Sequence, residues 1–559
     1  MIRLFQEHIV RKQQELDGIW EFVREDGKKY ALPVPGCWEQ HPELENYRGK
    51  GTFSKRVYVD EPCNVRLVFK GVSHTADVWF DDTFAAHHYN AFTPFSGVVR
   101  DVTPGEHVIR VEVDNSFGEH SALHTPNDYY TYGGITRPVA LEQIGDVYLE
   151  NVHVLPYREN GSWRAVITAR VKNAGSRTGR FAICASLAGQ AFGEEDCSIA
   201  PLEEKEVRWD LTFPDAIAWS PKNPALYMLK VQLKAGEKVI DDLIDRVGFR
   251  VVELVGQRMH INGEPVFLKG FNRHEDYGDI GCAIPLQLMV QDMELMQDMG
   301  ANAVRTCHYP NDERFLDLCD ERGILVWEEN HARGFGLENM QNPNFERQCR
   351  DCIDEMIGQH YNHPCIVIWG ILNECASETA EGRKMYQKQY EQIRALDRSR
   401  PVTSATCRHF SDICLDLPDI VSFNMYSGWY QDVPVRQRHE EEMDWIVRAG
   451  GEGKPVIVSE FGAAAIYGYR DRGRCKWSEE RQKDIIRENL EVYRTDSRLT
   501  GVFIWQFADC RVTEEGGWFA SRARCHNNKG VVDEYRRPKE AYELIKGMFE
   551  NWPEEGLTR

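Results

Sequence analysis

From Gly256 onward the chain repeats one unit, a short apolar run followed by an amphipathic segment. Eight runs are countable: Val266–Leu268, Ala303–Arg305, Ile324–Trp327, Ile366–Ile371, Val402–Ala405, Ile420–Asn424, Val456–Glu460 and Val502–Trp505. Helical spacing between runs is explicit in Leu286, Met289, Val290, Met293 and Met296, and again in Ile485, Leu490 and Val492 within the segment from Ser478 to Tyr493. Strands buried on both faces need continuous apolar runs, and parallel neighbours need helical crossovers. Eight such units predict a (β/α)8 barrel.

The preceding half follows a different grammar. At 559 residues the chain exceeds what one hydrophobic core supports, so several domains are expected. Residues 15 to 145 alternate with period two, as in Val65, Leu67 and Phe69 against Arg66, Val68 and Lys70, and then in Val108 to Val113. Gly, Pro and Asp turns break the runs, which predicts an antiparallel sandwich. A second β-rich block, carrying Trp163 to Ala169 and Met228 to Leu233, has the length and strand density of an immunoglobulin-like sandwich. The predicted division is 1–145, 146–252 and 253–559.

A net charge of −21 argues against nucleic acid or an anionic membrane as partner, since both would be repelled. The opening residues, Met1 to His8, turn polar before an apolar signal region develops, and no apolar run reaches membrane-spanning length. A cytoplasmic protein is therefore expected, with its sixteen cysteines reduced and the Asn160-Gly161-Ser162 sequon accidental. Cys349 and Cys352 have C-x-x-C spacing ahead of His360 and His363. With Ile353, Met356 and Ile357 they read as one face of a helix, so no metal site is assigned.

Two of the predicted strands end on a glutamate. The run from Ile366 leads into Asn373-Glu374, and Pro455 to Ser459 leads into Glu460. In a barrel of this type the C-terminal strand ends carry the chemistry, so Glu374 after strand four and Glu460 at strand seven converge on one face. Paired carboxylates there point to glycoside hydrolysis.

Four runs, Gly270 to Glu275, Asn302 to Thr306, Trp369 to Glu374 and Ser459 to Gly462, together resemble glycoside hydrolase family 2. The resemblance spans the chain and implies an N-terminal jelly-roll β-sandwich, an immunoglobulin-like β-sandwich and a C-terminal TIM barrel. Within the family, Asn527-Asn528-Lys529-Gly530 resembles the Asn-x-Lys motif of β-glucuronidases. An amide and an ammonium suit a uronic acid's carboxylate.

The resemblance implies a retaining exo-β-D-hexuronidase without cofactor or metal, acting on terminal β-D-glucuronides, β-D-galacturonides or both. Glu374 would be the acid/base, protonated to assist the leaving group, and Glu460 the ionised nucleophile. Retention requires the two carboxyls to stand about 5–5.5 Å apart. The resemblance further assigns Asn373 to the sugar 2-hydroxyl and Asp128 and His274 to other hydroxyls, with Glu275 as support for His274. Tyr426 falls near the nucleophile, Tyr430 near the carboxylate and Trp505 beneath the sugar ring. Trp429 reads either as part of this aromatic set or as core. One of Arg522 and Arg524 would match the family's arginine beside the Asn-x-Lys motif. A homodimer or homotetramer is the assembly implied.

Two features depart from the pattern. Arg333, in Glu329 to Phe335, stands where glucuronidases carry small apolar residues; it either meets the substrate carboxylate or C4 hydroxyl, or pairs with a neighbouring glutamate. The segment from Arg333 to Arg347 is short, and the stretch between Asp509 and Asn527, including Gly516 to Phe519, is long. Competing readings are a β-galactosidase or β-mannosidase of the same family, which would not need Asn527 and Lys529 at the sugar, and a non-catalytic carbohydrate-binding protein.

Overall fold

The computed structural model describes residues 2–514, 517 and 521–553. Part of the long stretch before Asn527, including Gly516, Trp518 and Phe519, lies outside the described residues.

The first sandwich packs a four-stranded sheet (Lys12–Glu15, Val139–Ile144, Cys63–Phe69, Phe95–Val102) on a six-stranded one (Lys29–Val34, Gly18–Arg24, Lys50–Val59, Gly105–Asp114, Thr75–Phe80, Thr83–Tyr89). As the alternation requires, Val65, Leu67 and Phe69 enter the core between the sheets. The opposite face of that strand is polar yet covered. Arg66 pairs with Glu142 and Glu150, and Lys70 pairs with Glu313 of the barrel, so this face is an inter-domain seam.

The second sandwich sets three strands (Val147–Glu159, Ser162–Asn173, Glu204–Phe213) against four (Gln190–Ile199, Gly179–Leu187, Tyr227–Ala235, Lys238–Val247). In Ser162–Asn173 every second side chain is buried along the whole strand. Its inner face, including Trp163, Ala165, Ile167, Ala169 and Val171, forms a separate apolar core.

The eight barrel strands are β1 (Leu268–Asn272), β2 (Ala303–Thr306), β3 (Leu325–Glu329), β4 (Ile366–Asn373), β5 (Val402–Thr406), β6 (Val421–Asn424), β7 (Val456–Phe461) and β8 (Leu499–Ile504). All pair in parallel, and β1 closes on β8 with Leu268 opposite Gly501. Helices Leu286–Asp298 and Glu479–Tyr493 form where the spacing predicts; Ser478 caps the latter by accepting from Arg481 N. Helix Phe345–His360 buries Cys349 and Cys352 on its apolar face, while His360 and His363 bond to Glu328 and Asp320. All sixteen cysteines are free thiols.

β1 lies later than the run Val266–Leu268 suggests. Glu264–Val266 instead closes a three-stranded antiparallel sheet with Val252–Val255 and Arg258–Ile261. The barrel strand is masked in the sequence by Lys269 and Gly270. Lys269 Nζ reaches Phe549 O at 2.6 Å, and a Cβ on residue 270 would lie 2.4 Å from the Phe503 ring, so glycine is what lets β1 approach β8.

Candidate active site

The C-terminal ends of β4, β6, β7 and β8 and the segments after β3 and β5 converge on a cavity of about 340 Å³. Its lining includes Glu374, Glu460, Arg333, Tyr426, Tyr430, Trp505, Arg522, Lys529 and Asp128. Thus most of the residues expected at the site meet there, although Glu374 and Glu460 are 86 positions apart (460 − 374).

Arg305, at the end of β2, is fully buried and organises the floor. Its Nη1 donates to Glu460 Oε1 at 2.9 Å and to Asn272 Oδ1 at 3.0 Å. Nη2 donates to Asn373 Oδ1 and Glu329 Oε1, both at 2.9 Å, and Nε to Glu329 Oε2 at 2.9 Å. Tyr426 OH donates to the other Glu460 oxygen at 2.7 Å. Burial pushes the Glu460 carboxyl up to about 7, Glu374's charge adds to the rise, and Arg305 and Tyr426 oppose it. The carboxyl that was expected to stay ionised is therefore drawn toward its protonated form in the free protein. Desolvation outweighs the two donors.

Glu374 leaves β4 in the left-handed region, with φ of 55°, which turns its side chain from the strand line into the cavity. Asn424, ending β6, donates to Glu374 Oε1 at 2.8 Å and to Asn373 Oδ1 at 3.2 Å, while its own oxygen accepts from Ser459 Oγ at 2.7 Å. Arg333 Nη2 lies 3.5 Å from Glu374 Oε2, and Nη1 donates to Asn127 Oδ1 at 2.9 Å. Arg333 lines the cavity, and the glutamate it approaches is Glu374.

The first sandwich contributes the segment carrying Asn127 and Asp128. Asp128 accepts from Arg522 Nε at 2.9 Å, from Arg522 Nη2 at 2.6 Å and from Asn527 Nδ2 at 2.9 Å. Arg522 is thereby the arginine at the cavity; Arg524 turns away, at φ of 60°, to bond Glu534. Asn527 is fully buried and faces Asp128. Lys529 lines the cavity and donates to Tyr430 OH at 2.8 Å, with its Nζ 4.9 Å from that ring's centre. Burial, then Arg522, lowers the Lys529 ammonium below its usual range. Among the described residues no carboxylate forms an ion pair with it.

Trp505 follows β8 and lines the cavity, with His308 stacked on it at 5.0 Å and His274 edge-on at 5.5 Å. His274 is held by Tyr309 OH at 3.1 Å. Glu275, the expected support, is instead bonded to Arg137 Nη2 and Asp312 N at 2.7 Å each, because the chain turns its side chain toward the first sandwich. Trp429 packs with Ala463, Ala464, Ile485 and Trp477, as core. Cys407, His409, Asn424 and Gln431 also line the cavity, and no motif had singled them out.

The model of "Glycosyl hydrolases family 2, TIM barrel domain" matches residues 252–552, and that of "Glycosyl hydrolases family 2" matches 147–250. A β-glucuronidase of Paenibacillus borealis is 26% identical, over 97% of both chains. The Homo sapiens β-glucuronidase is 25% identical over 97% of this chain and 92% of its own. Among solved structures, a β-galacturonidase from Eisenbergiella tayi bound to galacturonate superposes with a TM-score of 0.96 at 47% identity, covering 99% of this chain and 100% of that one. A β-D-glucuronidase of Dictyoglomus thermophilum gives 0.85 at 25% identity, covering 98% of each. By the barrel, the second sandwich and these likenesses, the chain belongs to glycoside hydrolase family 2.

Proposed function

We propose that this protein is a retaining exo-β-D-hexuronidase that prefers terminal β-D-galacturonides. The observation that carries the reading is Lys529. There a buried ammonium, bonded to a phenol and beside a second cation in the cavity that holds Glu374 and Glu460, forms no ion pair with a carboxylate among the described residues. A uronate carboxylate supplies that anion by charge-assisted hydrogen bonds from Lys529 and Tyr430.

In this reading Trp505 underlies the ring and Asp128 and His274 meet its hydroxyls. Asn373, turned by Arg305 and Asn424, meets the 2-hydroxyl. Glu460 attacks the anomeric carbon as a carboxylate while Glu374 passes its proton to the leaving oxygen; Glu374 then takes a proton from the water that cleaves the glycosyl ester. Asn527 acts through Asp128. Arg333 reaches the C4 hydroxyl, whose axial or equatorial setting separates galacturonide from glucuronide. The 47% identity to a β-galacturonidase, against 23–27% for the β-glucuronidases, supports this preference.

The test is hydrolysis of p-nitrophenyl β-galacturonide, β-glucuronide and β-galactoside side by side. Uronide turnover without galactoside turnover is expected, and galactoside turnover alone overturns the reading. Glu460→Gln should abolish turnover and keep binding. An Arg333→Ala variant with an unchanged galacturonide-to-glucuronide ratio removes Arg333 as the determinant.

The same reading divides the chain into domains 1–145, 146–252 and 253–559. In support, Val139–Ile144 and Val147–Glu159 belong to different sheets, as do Lys238–Val247 and Val252–Val255. It takes the protein to be bacterial, cytoplasmic and homo-oligomeric. No helix among the described residues is long and apolar enough to cross a membrane.

A further inference from the structure

Under the floor of the cavity, His274, Cys307 and His308 each bring one ligand atom to within 4.8 Å of the others. All three are buried. Nδ1 of His274 is engaged by Tyr309 OH at 3.1 Å, and Nδ1 of His308 by Glu329 Oε1 at 2.8 Å. Nε2 of both rings is buried without a hydrogen-bond partner among the described residues. A carboxylate on one nitrogen of an imidazole, with the other left free, is the arrangement that orients histidine toward a metal. Glu460 Oε1 lies 3.9 Å from His308 Nε2, at the edge of this group.

Zinc held at about 2.0–2.1 Å by nitrogen and about 2.3 Å by sulfur sets tetrahedral ligand atoms about 3.3–3.8 Å apart. The three ligand atoms lie within 4.8 Å of one another, so side-chain rotation has to close any excess over that spacing. Glu329, Glu460 and a Cys307 thiolate formed on binding stand against Arg305, which lies 3.4 Å from His308 Nδ1. A thiolate with two imidazoles selects zinc-like ions over magnesium or calcium.

We propose that this chain binds one thiophilic divalent cation through His274 Nε2, His308 Nε2 and Cys307 Sγ, with Glu460 as oxygen ligand, and that occupancy switches hydrolysis off. The metal–sulfur bond forms as the S–H proton leaves to solvent, and no electron is transferred. Coordination through Oε1 draws charge from the Glu460 carboxylate and so lowers its power to attack the sugar. The ion enters through the cavity, which Glu460 and Trp505 both line. The other buried group of this kind, Asp320, His363 and Cys365, is less open, since Asp320 already accepts from His363 Nδ1 at 2.6 Å and from Cys365 N at 2.9 Å.

Cobalt(II) titrated into chelator-treated full-length protein should give a sulfur-to-cobalt charge-transfer band that saturates at one equivalent. The band should vanish in Cys307→Ala and persist in Cys365→Ala. Zinc should inhibit hydrolysis of a p-nitrophenyl uronide reversibly, with EDTA restoring it. The half-inhibitory zinc concentration should rise about 10-fold or more in Cys307→Ala, whose turnover in chelator stays at the wild-type level. No cobalt band in the wild type, a band that survives Cys307→Ala, or equal zinc inhibition of both proteins would each overturn the proposal. The cobalt measurement uses no substrate and the wild-type chain alone, so it stands whether or not the uronide reading or the variant fails.

Discussion

Glu460 is caught between burial, which favours its proton, and two donors, which favour its charge. Attack requires the ionised form, so kcat/KM should fall as pH drops through about 7, the value to which the carboxyl is pushed. Tyr426→Phe deletes a donor to the anion and should raise that value further. The acidic limb of the kcat/KM profile then moves up by about one pH unit, read from rates between pH 5 and 9. An unmoved limb would mean that Tyr426 does not tune Glu460. Lys529→Met should lower kcat/KM for uronides about 10- to 100-fold, the worth of charge-assisted bonds, and leave fold stability close to wild type. Steady-state kinetics and thermal unfolding on one preparation check both halves.

Among the elements, the strand ends matter most, because each delivers a side chain whose partner comes from a distant part of the chain. Asn424, on β6, holds Glu374 across 50 positions, with Ser459 of β7 behind it. Asn424→Ala should misplace Glu374 and Asn373 together, cutting kcat by about 100-fold with little change in KM. The barrel strands themselves were legible because burial on both faces demands uninterrupted apolar runs. β1 was not, since a lysine and a glycine serve local needs there. Glu374 and Glu460 could be read from their place at strand ends, whereas Asp128 and Lys529 lie in loops, Asn527 lies in a two-residue strand, and all three were found through resemblance. Asn424 showed no local signal, because its importance lies in a contact the linear sequence does not contain. Arg522 and Arg524, two positions apart, separate only once the backbone turn sends them opposite ways.

Across the whole molecule, the junction between the first sandwich and the barrel stores a titratable load. Glu39 is buried beside a cavity shared by the two units and accepts from Gly133 N at 2.9 Å. Burial pushes its carboxyl up to about 8, against that bond and the pull of Arg48 and Arg511. The folded protein therefore keeps a proton that the unfolded chain releases above about 4.3. The stabilisation linked to it is complete below that pH and is lost as pH rises through about 8. Glu39→Gln should raise the unfolding temperature at pH 9 by a few degrees and leave it nearly unchanged at pH 5, as differential scanning calorimetry would show.

Asp128 clasps Arg522 and Asn527 across that same junction. Removing one member of a buried ion pair costs about 3–5 kcal/mol, so the clasp penalises any sandwich that arrives without its acid. Sandwich and barrel thus form a single heritable unit. A chimaera that imports a foreign first sandwich must import the matching loop around 522–529 with it.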